Sequence, residues 1–304
     1  MSEAVPRPPR NPRRYLPSVG GSTRVVLLVL LAVFFGVPLL WLAIAPSKLA
    51  PQFVTQPPLS FGDIGNYLRA WDHLIGFKDG QILLWAWNSV WYTAAAMVIG
   101  LVISIPAGYA LATAQFRGRR LLLWLTLIAL IVPTSALVLP LFLDLSLIGL
   151  VGSPWSVILP TAFFPFGVYL AYVFYATSIP KDLLAAGRVD GCSEWQLFRH
   201  VCLPISKTLI GLLTFLSFTA NWNNYFLPYV MLNDDQTYTL AVGLQSLVTG
   251  TSMVSMSAIR GTSSLLKSPE GALMGLLMVL PLTLVFIVSQ RYVIRGALTG
   301  SIKE

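Results

Sequence analysis

The chain predicts an all-α polytopic membrane protein with six transmembrane helices, and three observations carry that expectation. Only 11% of the 304 residues are charged and 56% are hydrophobic, with a mean hydropathy of +0.73; ordinary soluble domains carry about 25% charged residues. Charge-free apolar runs recur at the length needed to cross a bilayer core, about 20 helical residues for roughly 30 Å. The runs are unbroken Leu, Val and Ala without period-2 alternation, which excludes barrel strands and leaves helices to satisfy the backbone in lipid.

In chain order the runs are residues 25–45, 82–114, 121–143, 155–176, 208–232 and 272–290. Residues 1–24, rich in Pro and Arg, read as an unstructured basic tail ahead of a membrane domain over 25–304. Ala43-Ile44-Ala45 has the look of a signal-peptidase box. The apolar run before it is too long for a signal core of about 7 to 15 residues, so it reads as a retained span.

The basic residues give an orientation. Fifteen of the 20 Lys and Arg fall in residues 1–24, 115–120, 177–207 and after the last run. The bias predicts that these segments, and both termini, are cytoplasmic. Topology and anionic lipid account for the net charge of +8 without a nucleic-acid partner.

No run contains Asp, Glu, His or Lys. An ion-coupled carrier generally keeps such a group in its spans, so energy for uphill transport would have to enter from outside the bilayer. A carrier or channel without an energy-supplying partner stays open as the rival class. A membrane enzyme would need a nucleophile with a base, or a metal cluster, and the runs supply neither. Cys192 and Cys202, both on the cytoplasmic side, imply no disulfide. With His200 they lack a fourth metal ligand, and His73 is isolated on the outer side.

Residues 183–206, LLAAGRVDGCSEWQLFRHVCLPIS, interrupt this sequence with charge. Pro180 and Asp182 suit a helix start, Asp190-Gly191 a break, and Ser193 with Gln196 a capping box opening a second helix. Trp195, Phe198 and Cys202 fall on one face of it. Pattern alone allows either a hairpin lying in the interface or one that docks on a partner.

In the fifth run, Thr214, Ser217, Asn221 and Asn224 gather within an arc of about 80° at helical spacing. Trp222 and Asn223 flank them. The stripe either lines a passage suited to a neutral sugar or hydrogen-bonds a neighbouring helix.

The run Ala185-Ala186-Gly187-Arg188-Val189-Asp190-Gly191, with Trp195-Gln196-Leu197-Phe198 and Leu203-Pro204-Ile205-Ser206, resembles the EAA loop of permease subunits of bacterial ABC importers, nearest to the maltose-type carbohydrate permeases. Tyr109-Ala110-Leu111-Ala112 before Phe116-Arg117-Gly118-Arg119, Trp222-Asn223 before Leu227-Pro228, the 238–244 block, and Gln290-Arg291-Tyr292 follow in family order. The resemblance implies a type I ABC importer transmembrane domain whose 177–207 loop is a coupling helix. Its contacts with the ATPase would come from Ala185, Ala186, Gly187, Asp190, Gly191, Trp195, Phe198 and Pro204. It also implies a second permease subunit forming a heterodimer, two ATPase subunits that bind ATP and Mg, and an extracytoplasmic solute-binding protein for a sugar or related polyhydroxylated solute. The chain itself would be no enzyme and hold no cofactor, consistent with the lack of a GxxxxGK[ST] phosphate loop. Ala185 stands where the family usually has Glu, and Leu184 where a second acid is common, so the usual acidic contact is missing. The outer loop 233–270, above all 245–264, reads as a polar connector that in this family reaches towards the solute-binding protein.

Overall fold

A computed structural model describes residues 19–49, 51–253 and 268–299. The tail before residue 19 and residues 254–267 of the outer loop lie outside the described residues. Helix α1 (Val19–Ile44) is exposed along 23–41, and only its far end is sealed, where Ala45, Pro46, Ser47 and Lys48 are buried. There the Lys48 ammonium donates to the carbonyls of Pro57 (2.6 Å) and Pro58 (3.1 Å), which supply the polar contacts that a buried cation needs. The short helix α2 (Gln52–Thr55) follows, then α3 (Ile64–Gly76), capped by the Asp63 carboxylate accepting from Gly65 N at 3.0 Å. Helix α3 buries Asn66, Ala70 and Leu74, and its His73 meets the buried Glu270 at 2.9 Å. His73 is therefore not isolated, as its sequence position suggests; it ties α3 to the start of the last helix.

Helix α4 (Gln81–Thr113) runs 33 residues, about 50 Å at helical rise, and links the two ends of the molecule. Next come α5 (Arg119–Ile131) and α6 (Val138–Leu147), with a 98° bend between them. The third run, 121–143, is thus a sharply bent pair of helices rather than one unbroken helix. Pro133 has no backbone N–H to continue the helix and holds Val132 extended, with ψ at 122°. Helices α7 (Trp155–Ala162) and α8 (Pro165–Ser178) form a continuous span despite a break before Pro165.

The 181–205 segment is a hairpin of α9 (Lys181–Val189), α10 (Glu194–Gln196), a π-helical turn (Leu197–Cys202) and α11 (Leu203–Ile205). It leads with a 78° bend into α12 (Lys207–Trp222), followed by α13 (Phe226–Met231), α14 (Leu240–Met253) and α15 (Ser268–Thr299). Among the described residues, four helices are long and apolar enough to cross a membrane, or up to six spans if the bent pairs 119–147 and 194–222 each count as one. The fifth run is the second departure: helix stops at Trp222 inside it. Asn223 donates both its backbone N–H (3.2 Å) and its side-chain amide (3.0 Å) to Thr219 O, closing the helix with local bonds.

Three apolar clusters run through the bundle. Near the hairpin, Ile105 and Tyr109 of α4 meet Ala171, Tyr175, Phe198 and Leu213. At the other end Trp85 packs with Trp222, Leu240 and Met274, and Tyr92, Ile158 and Met231 form a third cluster. Helix α14 joins the second of these through Leu240 and Leu247, so the first part of the outer-loop segment, 240–247, is packed helix where the sequence suggested a connector.

Candidate functional site: a coupling hairpin and a polar helix face

The hairpin forms for local reasons. Asp190 N–H donates to Ala186 O (2.9 Å), Cys192 N–H to Gly187 O (3.0 Å), and Gly191 turns the chain at φ +81°, a conformation that a β-branched residue resists. Ser193 and Gln196 make the expected capping box. A Cβ on Gly187 would overlap Leu197 Cδ2, so the small residue lets the two arms meet.

Burial divides the residues singled out from the sequence. Ala185, Ala186, Asp190, Gly191, Trp195 and Pro204 are exposed, with Val189 and Trp195 the most open apolar side chains, at 87% and 61%. Gly187 is half-buried inside the hairpin, while Phe198 is buried against Tyr109, with ring centroids 5.1 Å apart. Phe198 anchors the hairpin to the bundle from within. The apolar face of Trp195, Phe198 and Cys202 therefore points mostly inward, and only Trp195 remains at the rim.

One ion pair on the hairpin is made within the chain. Arg188 Nε donates to Glu194 Oε1 at 2.7 Å and Nη2 to Oε2 at 3.3 Å, joining α9 to α10 across the Gly turn. The guanidinium holds the Glu194 carboxyl below the usual carboxylate range, against a smaller opposing effect of burial, and Glu194 in turn raises Arg188. Tyr109 Oη donates to Glu194 Oε2 at 3.3 Å.

The polar residues of α12 turn out to differ from one another. Thr214 donates to Ile210 O (2.8 Å), and Asn221 donates to Ser217 O (2.8 Å) and Oγ (3.3 Å), so these three side chains bond their own helix. Trp222 is buried and donates to Met278 O of α15 at 2.9 Å, which makes it a tether between helices. Asn223 is exposed. Asn221 and Asn224 line a small cleft with Ser89, Tyr92, Thr93, Thr161 and Thr239.

Sequence reasoning missed a row of donors on α4, of which Tyr92 also lines that cleft. Gln81, Trp85, Asn88 and Tyr92, at helical spacing on α4, donate to four consecutive carbonyls: Gln81 and Trp85 to Asp235 O (each 2.7 Å), Asn88 to Gln236 O (2.9 Å) and Tyr238 O (3.0 Å), and Tyr92 to Thr237 O (3.0 Å). Ser89 Oγ accepts from Leu240 N at 2.7 Å, fixing the start of α14. The signal lay in the recurrence of polar and amphipathic residues on one face of an otherwise apolar run.

A multi-pass bundle whose longest described helix joins the clamped 235–240 segment to a projecting hairpin is an arrangement suited to a membrane transport subunit. Residues 100–298 match the family model described as binding-protein-dependent transport system inner membrane component. The chain is 33% identical over 223 residues to the arabinooligosaccharides transport system permease protein AraQ of Halalkalibacterium halodurans, covering 73% of this chain and 75% of that one. It is 28% identical over 294 residues to the lactose transport system permease protein LacG of Rhizobium radiobacter, covering 96% and 98%. Its fold is that of a chain in the crystal structure of a bacterial ABC transporter involved in the import of the acidic polysaccharide alginate, with a TM-score of 0.74 at 20% identity over 94% of this chain and 99% of that one. The chain belongs to this family of inner-membrane permease subunits of ABC importers; ATP hydrolysis resides in another subunit of the complex.

Proposed function

We propose that the chain pairs with a second, different permease subunit to form the path for a sugar or related polyhydroxylated solute, that 181–205 dock on one of two cytoplasmic ATPase subunits holding ATP and Mg, and that the opposite end meets an extracytoplasmic solute-binding protein. The hairpin carries the reading: a turn with an exposed apolar rim at Val189 and Trp195, held on the bundle by buried Leu197, Phe198 and Cys202. A hairpin built to lie in lipid would turn its broad apolar face outward, whereas this one buries most of it. The bias of the sequence, with 15 of the 20 Lys and Arg in residues 1–24, 115–120, 177–207 and after 290, supports a cytoplasmic side for the hairpin and both termini.

The solute class follows from relatives named for arabinooligosaccharides and lactose, and from the amide and hydroxyl groups of the α4–α12 cleft. Thr214, Ser217 and Trp222 shape α12, while Asn221, Asn223 and Asn224 offer amides to the path. The test is solute-stimulated ATP hydrolysis by the reconstituted complex with its binding protein, screened across mono- and oligosaccharides and polyols. Stimulation by a member of this panel is expected; stimulation by an amino acid or peptide panel alone would overturn the solute class.

A further inference from the structure

We propose that Glu194 is a positioning residue of the importer: by binding Arg188 and Tyr109 together it fixes the hairpin's angle against α4, so that a displacement of the hairpin is delivered to the spans. The inference rests on the reading of 181–205 as the ATPase-coupling element. One carboxylate holds two partners from two directions, the Arg188 guanidinium of α9 and the Tyr109 hydroxyl near the end of α4. Arg188 reaches across the Gly turn to Glu194 although Asp190 is nearer in sequence, and among the described residues Asp190 makes no ion pair.

The pair is about half exposed, at 44% and 54%, so its contribution to stability is small. Direction is what it adds, because a two-pronged guanidinium–carboxylate contact restricts orientation as well as distance. Behind it the contacts continue into the bundle. The Tyr109 ring lies 5.1 Å from Phe198 and 5.4 Å from Tyr175, centroid to centroid. Tyr175 Oη and Ser206 Oγ are 2.9 Å apart, and Ser206 spends its single hydrogen on Cys202 O at 2.6 Å, so the tyrosine is the donor between them. Both arms of the hairpin are thereby joined to α4, α8 and the start of α12. Where the usual acids at 184 and 185 are missing, Arg188 is paired within the chain, and the exposed docking face keeps Ala185, Ala186, Gly191, Trp195 and the carboxylate of Asp190.

The experiment uses the complete importer in proteoliposomes, with spin labels on cysteines introduced at the exposed positions Leu83 and Tyr229 and with Cys192 and Cys202 replaced by Ser. The distance between the labels is read before and after trapping with magnesium, ATP and vanadate, so the result does not depend on knowing the solute. Glu194→Gln and Tyr109→Phe should each cut the trapping-induced change in distance by about half or more, while the ATPase still co-purifies and traps vanadate at parental stoichiometry; the exchange of Arg188→Glu with Glu194→Arg should restore the change. Tyr109→Phe keeps the ring and its packing, which separates the hydrogen bond from the fold. A full parental change in both single variants, or no recovery in the exchanged pair, overturns the proposal. Gly191→Val tests the underlying reading separately: it should weaken ATPase co-purification, and parental association in that variant would remove docking through the hairpin whatever the Glu194 variants show.

Discussion

Asn221, Asn223 and Asn224 are three amides within one turn, and each has a different task. Asn221 is partly spent on Ser217, Asn223 closes α12 on Thr219, and Asn224 faces the cleft against α4. Their spacing made the stripe legible, but spacing cannot tell an amide bonded to its own helix from one open to solute. If the cleft belongs to the path, Asn221→Leu and Asn224→Leu should each lower uptake about tenfold, as loss of a polar contact worth roughly 1.4 kcal/mol would, with subunit pairing intact by co-purification. Broken pairing with normal uptake by whatever complex assembles would assign the stripe to helix packing. Glu194 also has a defined pH behaviour. Because the folded chain lowers its pKa through Arg188, the pair's contribution is present above the unfolded pKa and is lost as pH falls through the lowered value. Half exposed, it is worth under ~1 kcal/mol, and changes of pH within the neutral range leave it intact.

Helices were read from the sequence wherever the cause was local. Ser193 with Gln196 announced α10, and Asp190-Gly191 announced the turn before it. What the sequence concealed depended on distant partners: Phe198 belongs inside because Tyr109 is there to receive it, and Trp222 because Met278 O accepts its N–H. The bend at Pro133 was written in the residue itself, but an apolar run on both sides disguised it as one span. The α4 clamp was hidden because its acceptors are backbone carbonyls, which no side-chain pattern marks. Asn88 makes two of these bonds, and Asn88→Leu would leave two carbonyls unpaired at a cost of about 1 to 3 kcal/mol. Amide exchange across 236–243 should then quicken about tenfold or more, with the hairpin's exchange unchanged. Unchanged protection there would show that α14 packing alone holds the segment.

For the whole molecule, the proposed reading has energy enter at one end and the solute at the other, with α4 spanning the distance. Proteoliposomes holding the complete complex should lose uptake when ATP is withheld and keep it when the proton gradient is collapsed; the reverse result would make the chain an ion-coupled carrier. The carbonyl clamp has a consequence for inheritance. Because Gln81, Trp85, Asn88 and Tyr92 grip the main chain of 235–238, their hydrogen bonds do not depend on which side chains Gln236 and Thr237 display, whereas Tyr238 also packs its ring near Trp85. Mutational tolerance should be lopsided, strict on α4 and lenient at Gln236 and Thr237, so the surface that this rim displays can drift while the frame beneath it stays still.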